Sequence, residues 1–416
     1  MLKKHKISFF LFLSFAFIYY IGSFSKVPFG DCIGFVVETE KSKFLFSTST
    51  YSHFLFTNTL ILLKKIFPFF ESPEIARSVI VLSATFCVVI LHKIVLQISK
   101  DQFFSIFSVI LFGFSFSFWK NAEIVEVYTF NLVFVGLFIH YSVLFLLKKD
   151  RRYLFLATLF LASSFWVHIQ NILMIPGWFL LLYFNKNFKN SIISISIFGF
   201  LFLGLIAVPI LTKESVSSIF SSGVVFRDLQ FSTLLLSFSR SIGYLIYNFW
   251  YFIIFLIFGC IYLFKDQLQT LLFLAITSLP IFLFATTFGV SDNYVFFIPF
   301  NFAAAIFIGL GAFYLKEKIW IKKICFTALF IPLFYFISFK IISQTEKGKQ
   351  IQKEKAYKGG LAYFLLPWMN DNIGIIEFTI DKKDAPEPID WMTDLANQYI
   401  KILRSKNYTE QEIKEL

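Results

Sequence analysis

Apolar stretches of about twenty residues, the length that crosses a hydrocarbon layer at 1.5 Å rise per residue, recur from Ile7 almost to Ser343, separated by short polar breaks. The pattern predicts an all-α integral membrane protein of about eleven spanning helices, at 7–24, 75–96, 103–118, 124–147, 153–166, 172–184, 191–211, 241–264, 270–288, 295–315 and 320–342. The first stretch follows MLKKHK like the core of a signal peptide. No small-x-small cleavage site follows Gly22, however, and ten more spans do, which predicts an uncleaved first helix. Splitting 153–184 into two spans rests on Pro176 and the polar run His168, Gln170 and Asn171, where a helical hairpin can turn. No internal repeat is visible, so an inverted-repeat transporter architecture gains no support.

With the N-terminus inside, alternate loops gather Lys148, Lys149, Arg151 and Arg152, then Lys186 and Lys189, then Lys316, Lys318, Lys322 and Lys323, as the positive-inside rule requires. The opposite short loops are nearly free of Lys and Arg. An odd number of spans then puts the long loop 25–74 outside together with the hydrophilic C-terminal segment 344–416. Two units are expected: a transmembrane domain over 1–343 and a small extracytoplasmic tail over 344–416. The tail is charged, carries KGGLAYFLLPWMN and then a helical-looking stretch at 389–405. It is expected to lie over the outer face, either as a simple cap or with Trp368 contributing to acceptor binding.

Composition strengthens this reading. Of 416 residues 57% are hydrophobic and 15% charged, with a mean hydropathy of +0.72, more apolar surface than one soluble core can hide. The 62 Phe residues fall on every face of every span, where they act as Leu would. A net charge of +12 invites a nucleic-acid reading, but the cations sit in short loops rather than on one stripe, so no nucleic acid is expected. Cys32, Cys87, Cys260 and Cys325 are far apart and lack metal-ligand spacing, so neither a disulfide framework nor a zinc site follows.

Ionisable groups at membrane depth are costly, so the side they share carries information. Asp31 beyond the first span, Glu123 and Glu126 where the fourth begins, His168 at the fifth-to-sixth turn and Asp292 before the tenth all fall on the outer side. Together they predict a polar cavity facing the outer leaflet. Each has a plainer alternative: Asp31 as a turn residue after Gly30, Glu123 as the helical partner of Lys120, His168 as an interfacial anchor, and His53 as a loop residue. Glu126 resists such a reading because it lies further into an apolar helix. His92 and His140 lie near inner helix ends and read as structural.

At these residues the chain resembles a bacterial family of multispanning proteins, formerly of unknown function, related to protein O-mannosyltransferases within the GT-C glycosyltransferase superfamily. Four blocks carry the likeness in order: Gly30-Asp31 with the stretch reaching His53, FWKNAEIVEVYTFN (118–131), FWVHIQNILMIPG (165–177) and SDNYVFFIPFNFAAAIFIGLG (291–311). The second block, with Trp119, Ala122, Glu126, Val127, Tyr128 and Asn131, is the most specific. Ile33 and Gly34 after the first Asp, Val167 before the His, and Phe54-Leu55-Phe56 after the loop His depart from the family pattern and leave donor and acceptor preference open.

The resemblance implies a GT-C-like fold and transfer of a sugar from a polyprenyl-phosphate-linked donor to an extracytoplasmic acceptor, which is a protein, lipid or glycan. It implies Asp31 as general base of an inverting displacement, with His53, Glu126, His168, Asp292, Tyr128 and Asn131 binding substrate. Lys120, Arg227 and Arg240 are the candidates for the donor phosphate, Arg240 being read at an outer helix end. No metal and no cofactor are called for. The expected location is the bacterial cytoplasmic membrane with the site facing outward. A transporter or flippase of lipid-linked sugars is the competing reading. The one-sided placement of the polar residues counts against it, because alternating-access sites lie near the midplane.

Overall fold

A computed structural model describes residues 2–23, 25–49, 52–220, 230–290, 292–368 and 372–416. Arg227 lies outside the described residues. Among them the chain is helical, with no β-strand.

Seven helical runs are long and apolar enough to cross a membrane: Ser72–Ser99, Tyr128–Lys148, Phe188–Thr212, Phe231–Asp266, Leu268–Thr287, Asn293–Tyr314 and Ile319–Gln344. These establish a multi-pass integral membrane protein, while the count of eleven is not reached by length alone. Of the four remaining predicted spans, α1 (Leu2–Gly22) is a continuous helix of 21 residues, and the other three are short or broken for local reasons. The third span bends by 66° between α5 (Gln102–Gly113) and α6 (Phe116–Glu123), where Ser115 sits extended between the two helices. Helix α8 (Arg151–Ser164) has 14 residues and ends before the predicted hairpin turn. Past that turn, a 3-10 stretch (Ile169–Met174) leads into α9 (Ile175–Asn185), with Pro176 in its first turn, where a missing N–H costs nothing.

The ends of the long helices follow from their residues. Helix α4 (Ser72–Ser99) opens with Pro73 and Glu74 and closes on Lys100 in the left-handed region. At α5 the Asp101 carboxylate accepts the N–H groups of Phe103 and Phe104 at 2.8 and 3.3 Å, satisfying two donors that the helix cannot. Helix α7 (Tyr128–Lys148) packs against α4 and α8. Helix α14 (Ile298–Tyr314), almost wholly buried, runs through the centre of the bundle. It meets α12 (Ile254–Asp266) through glycines: a Cβ on Gly259 would collide with the Phe307 carbonyl, and one on Gly311 with the Phe255 carbonyl. Backbones approach this closely only where small residues face each other, a packing mode that suits helices in lipid.

A second core lies at the end of the bundle that carries Asp31. Helix α2 (Cys32–Lys41) and α3 (Phe54–Ile66), both from the long first loop, contribute Cys32, Ile33, Val36, Phe56 and Leu60. The tail supplies the facing side. After α16 (Ile331–Gln344) come α17 (Glu346–Glu354), α18 (Gly360–Leu365), α19 (Ile375–Ile380), α20 (Asp390–Ser405) and α21 (Glu410–Glu415). Ile375, Phe378, Tyr399, Ile400, Leu403 and Ile413 bury themselves against the loop helices. Backbone pairs stitch the two together: the Ile375 N–H donates to the Val27 carbonyl at 2.9 Å, and the Val27 N–H to the Leu416 carbonyl at 3.0 Å. One ionic knot pins α20 to α2. The Glu40 carboxylate, with no exposed side-chain surface, accepts from Ser72 and Lys406 and stands 3.4 Å from the Lys64 ammonium. Loop and tail therefore fold as one cap whose inner edge holds the polar site.

Candidate functional site

Three carboxylates converge from three chain breaks. Gly30, at a φ of 126° that only glycine adopts comfortably, turns the chain into α2 and leaves Asp31 at its N-cap without a side-chain cap bond. Glu126 sits in the four-residue break between α6 and α7, where its N–H bonds the Ile124 carbonyl at 2.8 Å. Asp292 precedes the 3-10 turn Asn293–Phe297 that starts α14, also without a side-chain cap bond. Each break interrupts an apolar run, and carboxylates concentrate there because helix interiors in lipid have no place for them.

Glu126 lies against the Gly30 turn, where an added Cβ would stand 3.7 Å from its Oε1. Desolvation raises the Asp31 carboxyl above its usual range although the residue keeps an exposed face. Glu126 is raised much further, by desolvation first and then by the charges of Asp31 and Asp292, and the Cys32 thiol donates to its Oε1 at 3.4 Å. Asp292 is raised by desolvation and by Asp31, against the pull of its own backbone hydrogen bond, Lys358 and Lys120. Like charges held close together disfavour one another's ionisation, and the effect is greatest at the most buried of the three, Glu126.

A pair of imidazoles forms one edge. His53 caps α3 in the left-handed region (φ 41°), and the neighbouring backbone docks on the 164–168 turn through the Leu55 N–H and the Trp166 carbonyl at 2.8 Å. Its Nδ1 lies 3.0 Å from the Val167 carbonyl, which can only accept, so Nδ1 carries the proton and Nε2 a lone pair. His168 Nδ1 accepts the Gln170 N–H at 3.2 Å, which leaves its proton on Nε2. The rings stand 5.1 Å apart, and Tyr128 lies 6.0 Å from His168. Burial lowers both imidazoles, His168 to about 3, so the pair is neutral at physiological pH.

The cationic edge is partly one that sequence reasoning missed. Lys120 in α6 is 1% exposed; its ammonium bonds the Tyr363 carbonyl and stands 4.0 Å from the centre of the Tyr363 ring. Tyr363 belongs to α18 in the tail, as Lys358 belongs to the 3-10 turn just before it. Trp368 packs its ring 5.6 Å from that of Trp119, and Leu365 accepts the Tyr247 hydroxyl at 2.6 Å. The aromatic, glycine-bearing run KGGLAYFLLPW inside an otherwise charged tail was the available signal for this wall.

Two expected site residues stand apart. Asn131 spends its amide on Asn171, whose Nδ2 donates to the Asn131 Oδ1 at 2.7 Å; it ties α7 to the turn beneath His168. Arg240 is not at a helix end, because α11 (Phe231–Phe249) begins nine residues earlier, and it projects from an exposed position within that helix. The sequence stretch before it reads as a loop only because serines alternate with its apolar residues.

Residues 15–191 match the family model described as the protein O-mannosyl-transferase TMEM260 N-terminal domain. The fold is similar to that in the crystal structure of ArnT from Cupriavidus metallidurans bound to undecaprenyl phosphate, with a TM-score of 0.56 at 11% identity, over 97% of this chain and 75% of that one. No curated protein matches the sequence. The chain is thus a multi-pass membrane protein that shares its fold with ArnT, and residues 15–191, which hold the first three motif blocks, are similar to the protein O-mannosyl-transferase family.

Proposed function

We propose that this chain transfers a sugar from a polyprenyl-phosphate-linked donor to an acceptor hydroxyl outside the membrane. The observation that carries the reading is the gathering of Asp31, Glu126 and Asp292 with the buried Lys120 into one cluster of interacting charges, on the fold that ArnT has when undecaprenyl phosphate is bound to it. A base, a leaving-group cation and neutral hydrogen-bonding groups are what a glycosyl displacement requires.

In this mechanism Asp31 takes the proton of the acceptor hydroxyl as its oxygen attacks the anomeric carbon from the face opposite the phosphate. The bond from that carbon to the phosphate oxygen breaks, its electron pair leaves with the polyprenyl phosphate, and the configuration inverts. Asp31 suits the base because it is exposed and raised by desolvation alone, which strengthens its basicity. Glu126, held protonated, donates a hydrogen bond to the sugar. Asp292, Tyr128, His53 and His168 join the same polar cluster, with the His168 Nε2–H as a donor and the His53 Nε2 as an acceptor. Lys120 receives the developing phosphate charge.

Sidedness follows the charge of the loops. The site faces outward from a bacterial cytoplasmic membrane, and residues 344–416 form an extracytoplasmic segment over the transmembrane unit 1–343. The acceptor is a protein, lipid or glycan on that side. Transfer of radiolabelled sugar from polyprenyl-phosphate donors, in membranes carrying the wild type or Asp31→Asn, tests the reading. Lipid-linked sugar that crosses the bilayer unconsumed, with Asp31→Asn indifferent, would instead identify a flippase.

A further inference from the structure

Lys358 stands at the junction of tail and bundle, its ammonium 5.4 Å from the Tyr357 and Phe364 ring centres and 5.7 Å from that of Tyr363. It ends the 3-10 turn Ala356–Lys358, and the next two residues, Gly359 (φ 110°) and Gly360 (φ 62°), turn the chain through the left-handed region into α18. A side chain at either glycine would strain the positive φ, and the Gln352 Oε1 accepts the Leu361 N–H at 2.9 Å. The turn sets Lys358 beside the Tyr363 ring and within the field of Asp292.

The ammonium of Lys358 lies 5.7 Å from the Tyr363 ring centre, on which the Lys120 ammonium also stands, and it acts electrostatically on both Lys120 and Asp292. Its only carboxylate partner among the described residues, Glu387, is 3.5 Å away and is held more closely by Lys355 and by the Tyr357 hydroxyl at 2.6 Å. Lys120 has a carbonyl and aromatic faces for company. Two cations, both largely sheltered from water, thus share one aromatic platform with their charges incompletely answered. That arrangement is costly unless an anion completes it or a lysine gives up its proton, and an arriving phosphate would hold both protons in place.

We propose that Lys358 is the second cation of the donor's phosphate site, closing from the C-terminal tail a two-lysine clamp whose other half is Lys120 of α6. The inference rests on the donor reading above and extends it to a part of the chain beyond the stretch matched by the family model. It makes the tail a working wall of the site. Burial and the neighbouring Lys355 lower Lys358 to about 8, against the pull of Asp292, so the group recovers full charge when an anion arrives.

The test uses the full chain in detergent and follows thermal stabilisation by undecaprenyl phosphate, with undecaprenol as the uncharged control. Wild type should respond to the phosphate and not to the alcohol. Lys358→Ala should weaken the phosphate response about tenfold or more, the range for losing a charge-assisted bond, and Lys358→Arg should restore most of it. Glu387→Gln, which frees Lys358 from its brace, should bind at least as tightly as wild type.

Wild-type affinity in Lys358→Ala would overturn the clamp while leaving the transferase reading untouched, and continued sugar transfer by that variant would mark the difference. A loss in Glu387→Gln equal to that in Lys358→Ala would also overturn it, since Lys358 would then merely brace the tail. Absence of any wild-type response to undecaprenyl phosphate would bring down the donor reading and the clamp together.

Discussion

Glu126→Gln separates the roles of the carboxylates. In the structure Glu126 is raised well above the ordinary carboxylate value by desolvation, and then by Asp31 and Asp292, which favours its neutral acid form. Glutamine has the same shape, keeps an oxygen for the Cys32 thiol at 3.4 Å and offers an N–H where the acid offers O–H. The substitution removes no charge, and the expected loss of transfer is within about threefold, under 1 kcal/mol. Asp31→Asn removes the base and should cost about 10²- to 10⁴-fold. The pH dependence sharpens the contrast. Asp31 must be ionised to act, and its pKa lies above the ordinary 3.8, so activity falls as pH drops through that raised value. A neutral neighbour exerts no field on Asp31, so Glu126→Gln leaves this acidic limb where it was. Steady-state transfer measured from acidic to neutral pH is the assay. If the limb moves to lower pH in Glu126→Gln, or if the variant is as inactive as Asp31→Asn, Glu126 was ionised and the assignment of roles fails.

Other consequences can be checked on stability. Glu40→Met leaves the Lys64 ammonium, 5% exposed, without its carboxylate, and should loosen α20 from α2 by about 3–5 kcal/mol, read as lost hydrogen-exchange protection over 390–405. Burial alone would raise Glu40, but Lys406, Ser72 and Lys64 outweigh it and lower its pKa below 4.5; the stability it contributes is present above that value and is lost as pH falls through the depressed one, so acidification should release the tail first. Gly311→Ala should cost about 1–3 kcal/mol by forcing α14 from the Phe255 carbonyl, whereas Gly199→Ala, with open space around it, should leave the melting temperature unchanged. Asn131→Leu leaves Asn171 with the Ser164 carbonyl alone and its Oδ1 without the Asn131 amide, and should destabilise the fold by about 1–3 kcal/mol without abolishing donor binding.

The long apolar runs of α4, α7 and α14 could be read from hydropathy because nothing polar interrupts them. The bent α5–α6 pair and the 14-residue α8 could not be measured this way, since their lengths are set by tertiary packing around the polar turns at 115 and 165–168. In the site, Glu126 and His168 stood out because a carboxylate or an imidazole inside apolar sequence costs desolvation energy that a functional cleft can offset. Asn131 did not reveal that its partner would be Asn171, forty positions away, and no local pattern encodes such a pair. Lys358 and Tyr363 were hidden for the same reason: they meet Lys120 across more than 200 residues, from a tail whose charge looks like an ordinary solvated surface. Arg240 was misplaced because the amphipathic start of α11 resembles a loop when only apolar runs are counted.

The central claim is that the Asp31 carboxylate acts as base in transferring sugar from a lipid-phosphate donor. Its most direct test is consumption of radiolabelled polyprenyl-phosphate sugar by purified wild type and by Asp31→Asn at equal abundance in lipid. The account predicts donor turnover with a labelled acceptor product in the wild type and a loss of about 10²-fold or more in the variant. Undiminished turnover by Asp31→Asn would contradict it.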